Sequence, residues 1–380
     1  MLRPSLLLVS SLAVPCVSAQ TAQFDITYGP MPPEFVTAFD HAAAIWAGIL
    51  VSPVPIKVNV AFFPLGANAL GITFPNGRRD FPNAPVANTW YASALANSIA
   101  GSELNPGEND IDIYFSNGPN WYTDTAGTPA ANQHDFVSVA LHELGHGLGF
   151  VGLAKKIGAE GSFGLLQQSD FAPLTTTFPW PQLDTLPGIF DRFIQAPTLE
   201  MLVDVPNPST PLGSFFTCNN LNWNGPFALS ASGGAEVRIY APSVFALGSS
   251  CVHLNESTYP VNNPNELMTP FNSAGDVNHW PGTICLGILQ DIGWTLAPGV
   301  GVHEHGTRST LTIFPNPVED ELSIRTSSNM VNDVALIIDA HGRRVAEESA
   351  LEAIDVSRLS PGIYSVALRI TGAHARFVKQ

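Results

Sequence analysis

The sequence predicts an α/β (α+β) domain with a small sheet, followed by a small all-β sandwich. Segments with helical and with strand-like periodicity alternate over the first part of the 380-residue chain. Beyond residue 308 only short alternating runs occur, and turn signals such as His341-Gly342 and Pro361-Gly362 separate them. We therefore divide the mature chain into a domain at 20–296, a linker at 297–307 and a sandwich at 308–380.

Five segments of the first domain have clear periodicity. Apolar residues at helical spacing predict helices at 33–50, 92–100 and 281–294, and alternation predicts strands at 56–62 and 110–115.

The stretch between residues 150 and 260 is proline-rich and has few periodic runs. Loops of this length usually shape a site in a compact domain. Four carboxylates of this stretch are possible oxygen ligands for a metal, although each alone is more typical of a solvated charge or a turn: Asp184, Asp191, Glu200 and Asp204.

Composition excludes several classes of partner. Hydrophobic residues make up 45% of the chain and charged residues 13%, which is typical of a globular protein. The net charge of −16 argues against binding nucleic acid or an anionic membrane, since both require basic surfaces. We expect a monomer.

The N-terminus has the pattern of a secretory signal peptide at residues 1–19. Met1-Leu2-Arg3 gives a basic start, residues 6–14 are apolar, and Val17-Ser18-Ala19 supplies small residues before the cut. The apolar run is too short to span a bilayer, so we expect no transmembrane segment. The alternative is a buried N-terminal helix.

Removal of that peptide would leave three cysteines, Cys218, Cys251 and Cys285. Export favours one disulfide and one free thiol, and the sequence leaves the pairing open.

Residues 137–150 contain an H-E-x-x-H motif, His142-Glu143-x-x-His146. On a helix this spacing puts both imidazoles on one face, where they can bind a single zinc ion. Glu143 would then serve as general base towards a water whose pKa the zinc lowers. Asp135 is placed to cap the helix, and Gly147 and Gly149 to end it. The alternative is a pair of hydrogen-bonded core histidines.

A catalytic zinc site needs a third protein ligand. In the extended metzincin motif a histidine follows six residues after the second one, but Gly152 occupies that place here, although Gly149 matches the motif's glycine. The remaining candidates are His253, His279 or a carboxylate; His303 and His305 lie in the predicted linker and are poorer choices.

Four segments of the chain resemble the leishmanolysin-like branch of the metzincins. They are the helix at 135–150, Gly248–Glu256, Glu266–Pro270 and Asp291-Ile292-Gly293-Trp294. The resemblance implies a metzincin-like zincin fold and a Zn²⁺ cofactor. It also implies His142, His146 and His253 as zinc ligands, Glu143 as general base and Met268 as the Met-turn residue beneath the metal.

The last 75 or so residues are similar to the C-terminal sorting domain of type IX secretion in Bacteroidetes. This resemblance implies export to the cell surface or beyond and the type IX machinery as partner, whereas the alternative is a substrate-binding β-module. The matching segments are Phe314–Val318, Asp339–Arg343, Ile354–Leu359, Gly362–Tyr364 and Phe377–Gln380.

Together these features predict a secreted zinc endopeptidase that acts on proteins or peptides. One alternative is a surface-displayed adhesion or binding protein with a structural zinc. Another is a hydrolase of a non-peptide amide.

Overall fold

The computed structural model of the protein describes residues 21–66, 69–176, 184–298, 300, 311–326, 334–339, 344–349, 353–368 and 374–380. The predicted signal peptide at 1–19 lies outside the described residues, as do His303, His305 and most of the predicted linker.

The first part of the chain contains six helices and fifteen short strands within the described ranges. The helices are α1 (Pro33–Ile49), α2 (Ser93–Ala100), α3 (Phe136–Gly147), α4 (Thr210–Phe215), α5 (Pro226–Ala231) and α6 (Thr283–Ile292). The strands are β1 (Phe24–Tyr28), β2 (Leu50–Val51), β3 (Ile56–Phe63), β4 (Gly71–Pro75), β5 (Gly77–Arg78), β6 (Tyr91–Ala92), β7 (Ile111–Ser116), β8 (Trp121–Tyr122), β9 (His134–Asp135), β10 (Ala154–Ile157), β11 (Glu160–Phe163), β12 (Ile194–Gln195), β13 (Leu221–Trp223), β14 (Val237–Ile239) and β15 (Thr295–Leu296).

The main sheet has the strand order β1-β3-β7-β4. β1, β3 and β7 are parallel, whereas β4 pairs with β7 in the antiparallel direction and forms one edge. The predicted strands at 56–62 and 110–115 are confirmed as β3 and β7. β4 was not predicted, because a five-residue strand that begins at a glycine has little periodicity to detect.

Helix α3 lies in the core, where it packs against α1 and against strands β4 and β7 of this sheet. Every α3 residue except His142 is buried, as expected for a helix that is enclosed on all sides. The indole Nε1 of Trp46 in α1 donates to the carbonyl oxygen of Leu141 at 3.0 Å, so the two helices are joined by a buried hydrogen bond as well as by apolar packing. The predicted helices at 33–50, 92–100 and 281–294 are confirmed as α1, α2 and α6.

The proline-rich region follows α3 in the sequence and forms short helices and strands. β10 and β11 form a hairpin, and β12, β13 and β14 form a three-stranded antiparallel sheet. α5 packs against α6, where the Asp291 carboxylate accepts hydrogen bonds from the backbone N–H groups of Phe227 and Ala228 at the start of α5. A carboxylate at this end of a helix is stabilised by the unpaired N–H groups.

The prediction of a disulfide is wrong. Cys218, Cys251 and Cys285 are all free. Cys251 and Cys285 are fully buried in the apolar core, and burial raises the pKa of both thiols. The expectation rested on export alone, whereas these two side chains pack as small apolar groups.

The C-terminal part contains two antiparallel sheets among the described residues. One consists of β16 (Leu311–Phe314), β17 (Glu321–Thr326) and β20 (Ile354–Asp355). The other consists of β18 (Val334–Asp339), β19 (Arg344–Ser349), β21 (Gly362–Leu368) and β22 (His374–Lys379), in the order β19-β18-β21-β22. Apolar residues of both sheets form one hydrophobic cluster, as the prediction of a β-rich module requires.

Candidate metal centre

The local structure of α3 positions the paired histidines. Asp135 caps the helix as predicted, because its Oδ2 accepts from the backbone N–H of Ser138 at 2.8 Å and from the Ser138 hydroxyl at 2.7 Å. The helix ends at Gly147, and Gly149 follows with a φ of +111°. This backbone conformation favours glycine and turns the chain back, so that Phe150 lies close to His146.

Three imidazoles converge beside α3. The Nε2 atom of His146 lies 3.0 Å from Nε2 of His142 and 3.1 Å from Nε2 of His253, and the third Nε2 pair is 3.3 Å apart. His253 is 107 positions after His146 in the chain. It is held in place by the backbone, since the N–H of Tyr240 donates to the carbonyl of His253 and the N–H of Leu254 donates to that of Met268.

The other ring nitrogen of each histidine contacts a backbone carbonyl oxygen. Nδ1 lies 2.6 Å from Leu267 O in His142, 2.7 Å from Phe150 O in His146 and 2.8 Å from Ser249 O in His253. A carbonyl oxygen can only accept, so each Nδ1 carries the proton. In the neutral ring Nε2 then has a free lone pair, and three such lone pairs face one another.

This arrangement fits a zinc ion. Three nitrogens about 3.1 Å apart leave a point that is about 2 Å from each of them, which matches Zn–N distances of roughly 2.0–2.1 Å. Burial lowers the pKa of all three imidazoles, that of His253 to about 3, and neighbouring histidines lower the pKa of His146 and His253 further. The rings are therefore neutral at pH 7, which is the form that binds metal.

Glu143 lies next to these histidines and faces strand β4. Its Oε2 accepts from the hydroxyl of Thr73 at 2.7 Å, and burial raises the pKa of the carboxyl to about 7. Gly71 leaves room for it, because a Cβ atom at that position would lie 2.5 Å from Oε1 of Glu143. Sequence reasoning missed Thr73 and Gly71, since neither belongs to a motif and β4 itself was not predicted.

Met268 lies directly beneath α3. It is fully buried, and a Cβ atom at Gly145 would be 2.7 Å from its Sδ. Its neighbour Leu267 supplies the carbonyl that orients His142. The side chain therefore packs against α3 at Gly145, one residue before His146.

The other candidates for a third ligand lie elsewhere. His279 Nε2 donates to Oδ2 of Asp135 at 2.7 Å, at the opposite end of α3. Asp191 accepts from the backbone N–H groups of Leu153 and Gly188, and Asp184 accepts from the Trp90 indole. Among the described residues, the group that could hold a metal contains only His142, His146 and His253.

A cavity of about 620 Å³ lies in front of the three imidazoles and Glu143. Residues 69–75 form one wall, and residues 171–174 and 247–253 contribute to the others. A cavity of this size suits a small molecule or a few residues of a peptide.

One part of the chain matches a known protein family. Residues 312–379 match the secretion system C-terminal sorting domain. The match falls inside the predicted module at 308–380 and shows that the protein is directed to the cell surface or the extracellular space by type IX secretion. No curated protein and no solved structure matches the chain. Within the described ranges no helix is long and apolar enough to cross a membrane.

Proposed function

We propose that the protein is a secreted zinc endopeptidase of the metzincin type. The observation that carries the proposal is the convergence of three Nε2 lone pairs, each oriented by a carbonyl bonded to the opposite ring nitrogen. Buried lone pairs that face one another are unfavourable without a cation between them. The leishmanolysin-like pattern around His253 and Met268 supports the same assignment.

His142, His146 and His253 would hold the zinc, which when bound supplies a Lewis acid that polarises a carbonyl and lowers the pKa of water. Glu143 would accept the proton of the attacking water and transfer it to the leaving amine. The hydroxyl of Thr73 fixes the carboxylate of Glu143 for this task by its 2.7 Å hydrogen bond. Burial raises the pKa of the Glu143 carboxyl, which makes its carboxylate a stronger proton acceptor.

The substrate would bind as an extended peptide along β4. β4 is an edge strand whose residues Gly71, Ile72, Thr73 and Phe74 line the cavity. An edge strand offers backbone groups that an extended peptide can pair with. Because Thr73 contacts Glu143, a peptide in that position would lie next to the general base.

Metal content and casein cleavage test the proposal on the mature chain. We expect one zinc per chain and cleavage that Glu143→Ala lowers by about 10²- to 10⁴-fold while zinc stays bound. Glu200→Ala is the matched control, because Glu200 is exposed and lies outside the group of metal-binding residues. It should leave both measurements unchanged. Absence of zinc from the wild-type protein would refute the proposal, and zinc without cleavage would favour a binding protein with a structural metal.

A further inference from the structure

A buried lysine lies in the hairpin that follows α3 in the sequence. Lys155 belongs to β10, where it pairs with Ser162 of β11, and it is only 9% exposed. A lysine is buried this deeply almost only where its charge is paired. Lys155 is not among the residues that line the cavity in front of the three imidazoles. Any role in substrate binding must therefore act through other residues.

The ammonium group of Lys155 contacts both ends of the turn after β11. Its Nζ donates to the carbonyl oxygen of Leu165 at 3.1 Å and forms an ion pair with Oδ2 of Asp170 at 2.6 Å. The same oxygen of Asp170 accepts from the N–H of Gln167 at 2.7 Å. Leu165 has a φ of +56°, which is unfavourable for a residue with a large side chain. The hydrogen bond from Lys155 helps to hold the backbone in this conformation.

This turn begins a segment that borders the cavity, residues 165–175, which we call the second wall. Residues 171–174 of the second wall line the cavity together with β4, the three imidazoles and Glu143. The ring of Phe171 meets the ring of Phe74 in β4 edge-on, with the centroids 5.2 Å apart. The second wall is therefore held by Lys155 at its start and packs against β4 further along.

We propose that Lys155 is a positioning residue for substrate binding. By fixing Leu165 and Asp170 it holds the second wall beside β4, so that an extended peptide paired with β4 also contacts residues 171–174. A wall that is ordered before the substrate arrives spares the free energy of ordering it during binding. The inference rests on the proposed peptidase function, because it takes β4 as the strand that binds the substrate.

A directional contact suits this task better than apolar packing alone. Leu166 and Leu174 of the second wall are buried in one apolar cluster with Phe74, and such packing sets no single orientation. Desolvation cancels much of the attraction between buried charges, so a buried ion pair is weak evidence for a role in stability. The pair between Lys155 and Asp170 instead fixes where the turn lies relative to β10.

Substrate binding is measured separately from cleavage. Fluorescein-labelled casein is titrated with the zinc-loaded Glu143→Ala protein, and its Kd is obtained from fluorescence anisotropy. In that background Lys155→Met should raise Kd by about tenfold, because the second wall must then be ordered as the substrate binds. With Glu143 intact, the same substitution should raise KM by a similar factor and change kcat by less than about twofold. A purely structural role would not separate KM from kcat in this way.

Three further variants make the test specific. Asp170→Asn removes the partner's charge at nearly constant shape and should also raise Kd, which keeps the test decisive should Lys155→Met fold poorly. Lys155→Arg should keep Kd within about threefold of the wild type, because a guanidinium can donate to both acceptors. Lys156→Met is the matched control, since successive side chains of a strand point to opposite faces and Lys156 pairs with Gly161. It should leave Kd unchanged.

Amide hydrogen exchange shows whether the substitution acts where we propose. In Lys155→Met the amides of residues 165–175 should exchange faster than in the wild type, whereas those of α3 should exchange at the same rate.

Two outcomes would overturn the proposal. One is unchanged exchange and unchanged Kd in both Lys155→Met and Asp170→Asn, which would mean that the ion pair does not hold the second wall. The other is faster exchange with unchanged Kd, which would mean that the second wall does not contact the substrate. Casein that the wild type binds but does not cleave would refute the proposed function and leave this inference standing, so the two failures are distinguishable.

Discussion

The part of the chain around α3 and the C-terminal strands bury different kinds of side chain. Around α3, titratable groups are buried next to a cavity, and backbone groups or the Thr73 hydroxyl contact each of them. The cluster formed by β16 to β22 consists of aliphatic and aromatic side chains, among them Leu322, Ile337 and Phe377. Only the first arrangement can perform acid–base or metal chemistry.

This difference assigns separate tasks to the two parts. The C-terminal strands match a sorting domain and bury no comparable polar cluster in their described residues, so they act as a secretion signal. The part around α3 has no match among curated proteins, and its proposed function depends on the geometry of the histidine group and on the sequence pattern around it. Substitutions in one part should therefore leave the task of the other unchanged.

The largest expected effect is on export. Truncation after residue 307 removes the whole region that matches the sorting domain, residues 312–379. We expect the truncated protein to be lost from the cell surface and the medium and to accumulate inside the cell envelope, as measured by immunoblotting of cell fractions. Full-length Glu143→Ala is the control and should be exported normally. Export of the truncated chain at the wild-type level would contradict this separation of tasks.

The next largest effect is expected at His253. Its Nε2 completes the group with His142 and His146, so His253→Ala should release zinc and lower cleavage by on the order of 10³-fold. Metal analysis and casein cleavage measure the two effects. His279→Ala is a matched control, because His279 binds Asp135 rather than the other histidines. Retention of zinc in His253→Ala would show that a different side chain is the third ligand.

The sequence predicted the histidine pair more directly than the rest of the site. His142, Glu143 and His146 lie within one turn of a helix, so local periodicity determines their relative positions. His253 comes from a distant loop and was placed only by resemblance, with His279 and carboxylates left open. The structure brings His253 to the pair and leaves His279 at the other end of α3.

The fold shows the same limit. The helices α1, α2 and α6 and the strands β3 and β7 were predicted because their apolar residues are periodic. β4 was not predicted, although its residues Gly71 and Thr73 lie next to the Glu143 side chain. Such contacts depend on strand pairing between distant segments, which periodicity does not determine.

A smaller effect is expected from Gly71→Ala. The new Cβ would lie 2.5 Å from Oε1 of Glu143, so either β4 or the carboxylate must move. A displacement of about 1 Å at a catalytic group costs about 10²-fold in rate, so kcat should fall by that amount while zinc stays bound. Gly48→Ala is the matched control, because a Cβ there meets nothing within 4 Å. Equal activity of both variants would mean that Glu143 does not need this position.

The smallest effect is expected from Met268→Leu. This variant tests whether cleavage depends on the shape of the Met268 side chain beneath α3. Leucine has a similar volume and is also apolar, so unfolding should become easier by less than about 1.5 kcal/mol. Met201→Leu, at another buried methionine, should cost a similar amount and serves as the control. Because Met268 packs against Gly145 between the two histidines of α3, only Met268→Leu should also lower cleavage. Equal cleavage in the two variants would reduce Met268 to an ordinary core residue. A loss of zinc from Met268→Leu would show instead that the Met268 side chain sets the spacing of His142 and His146.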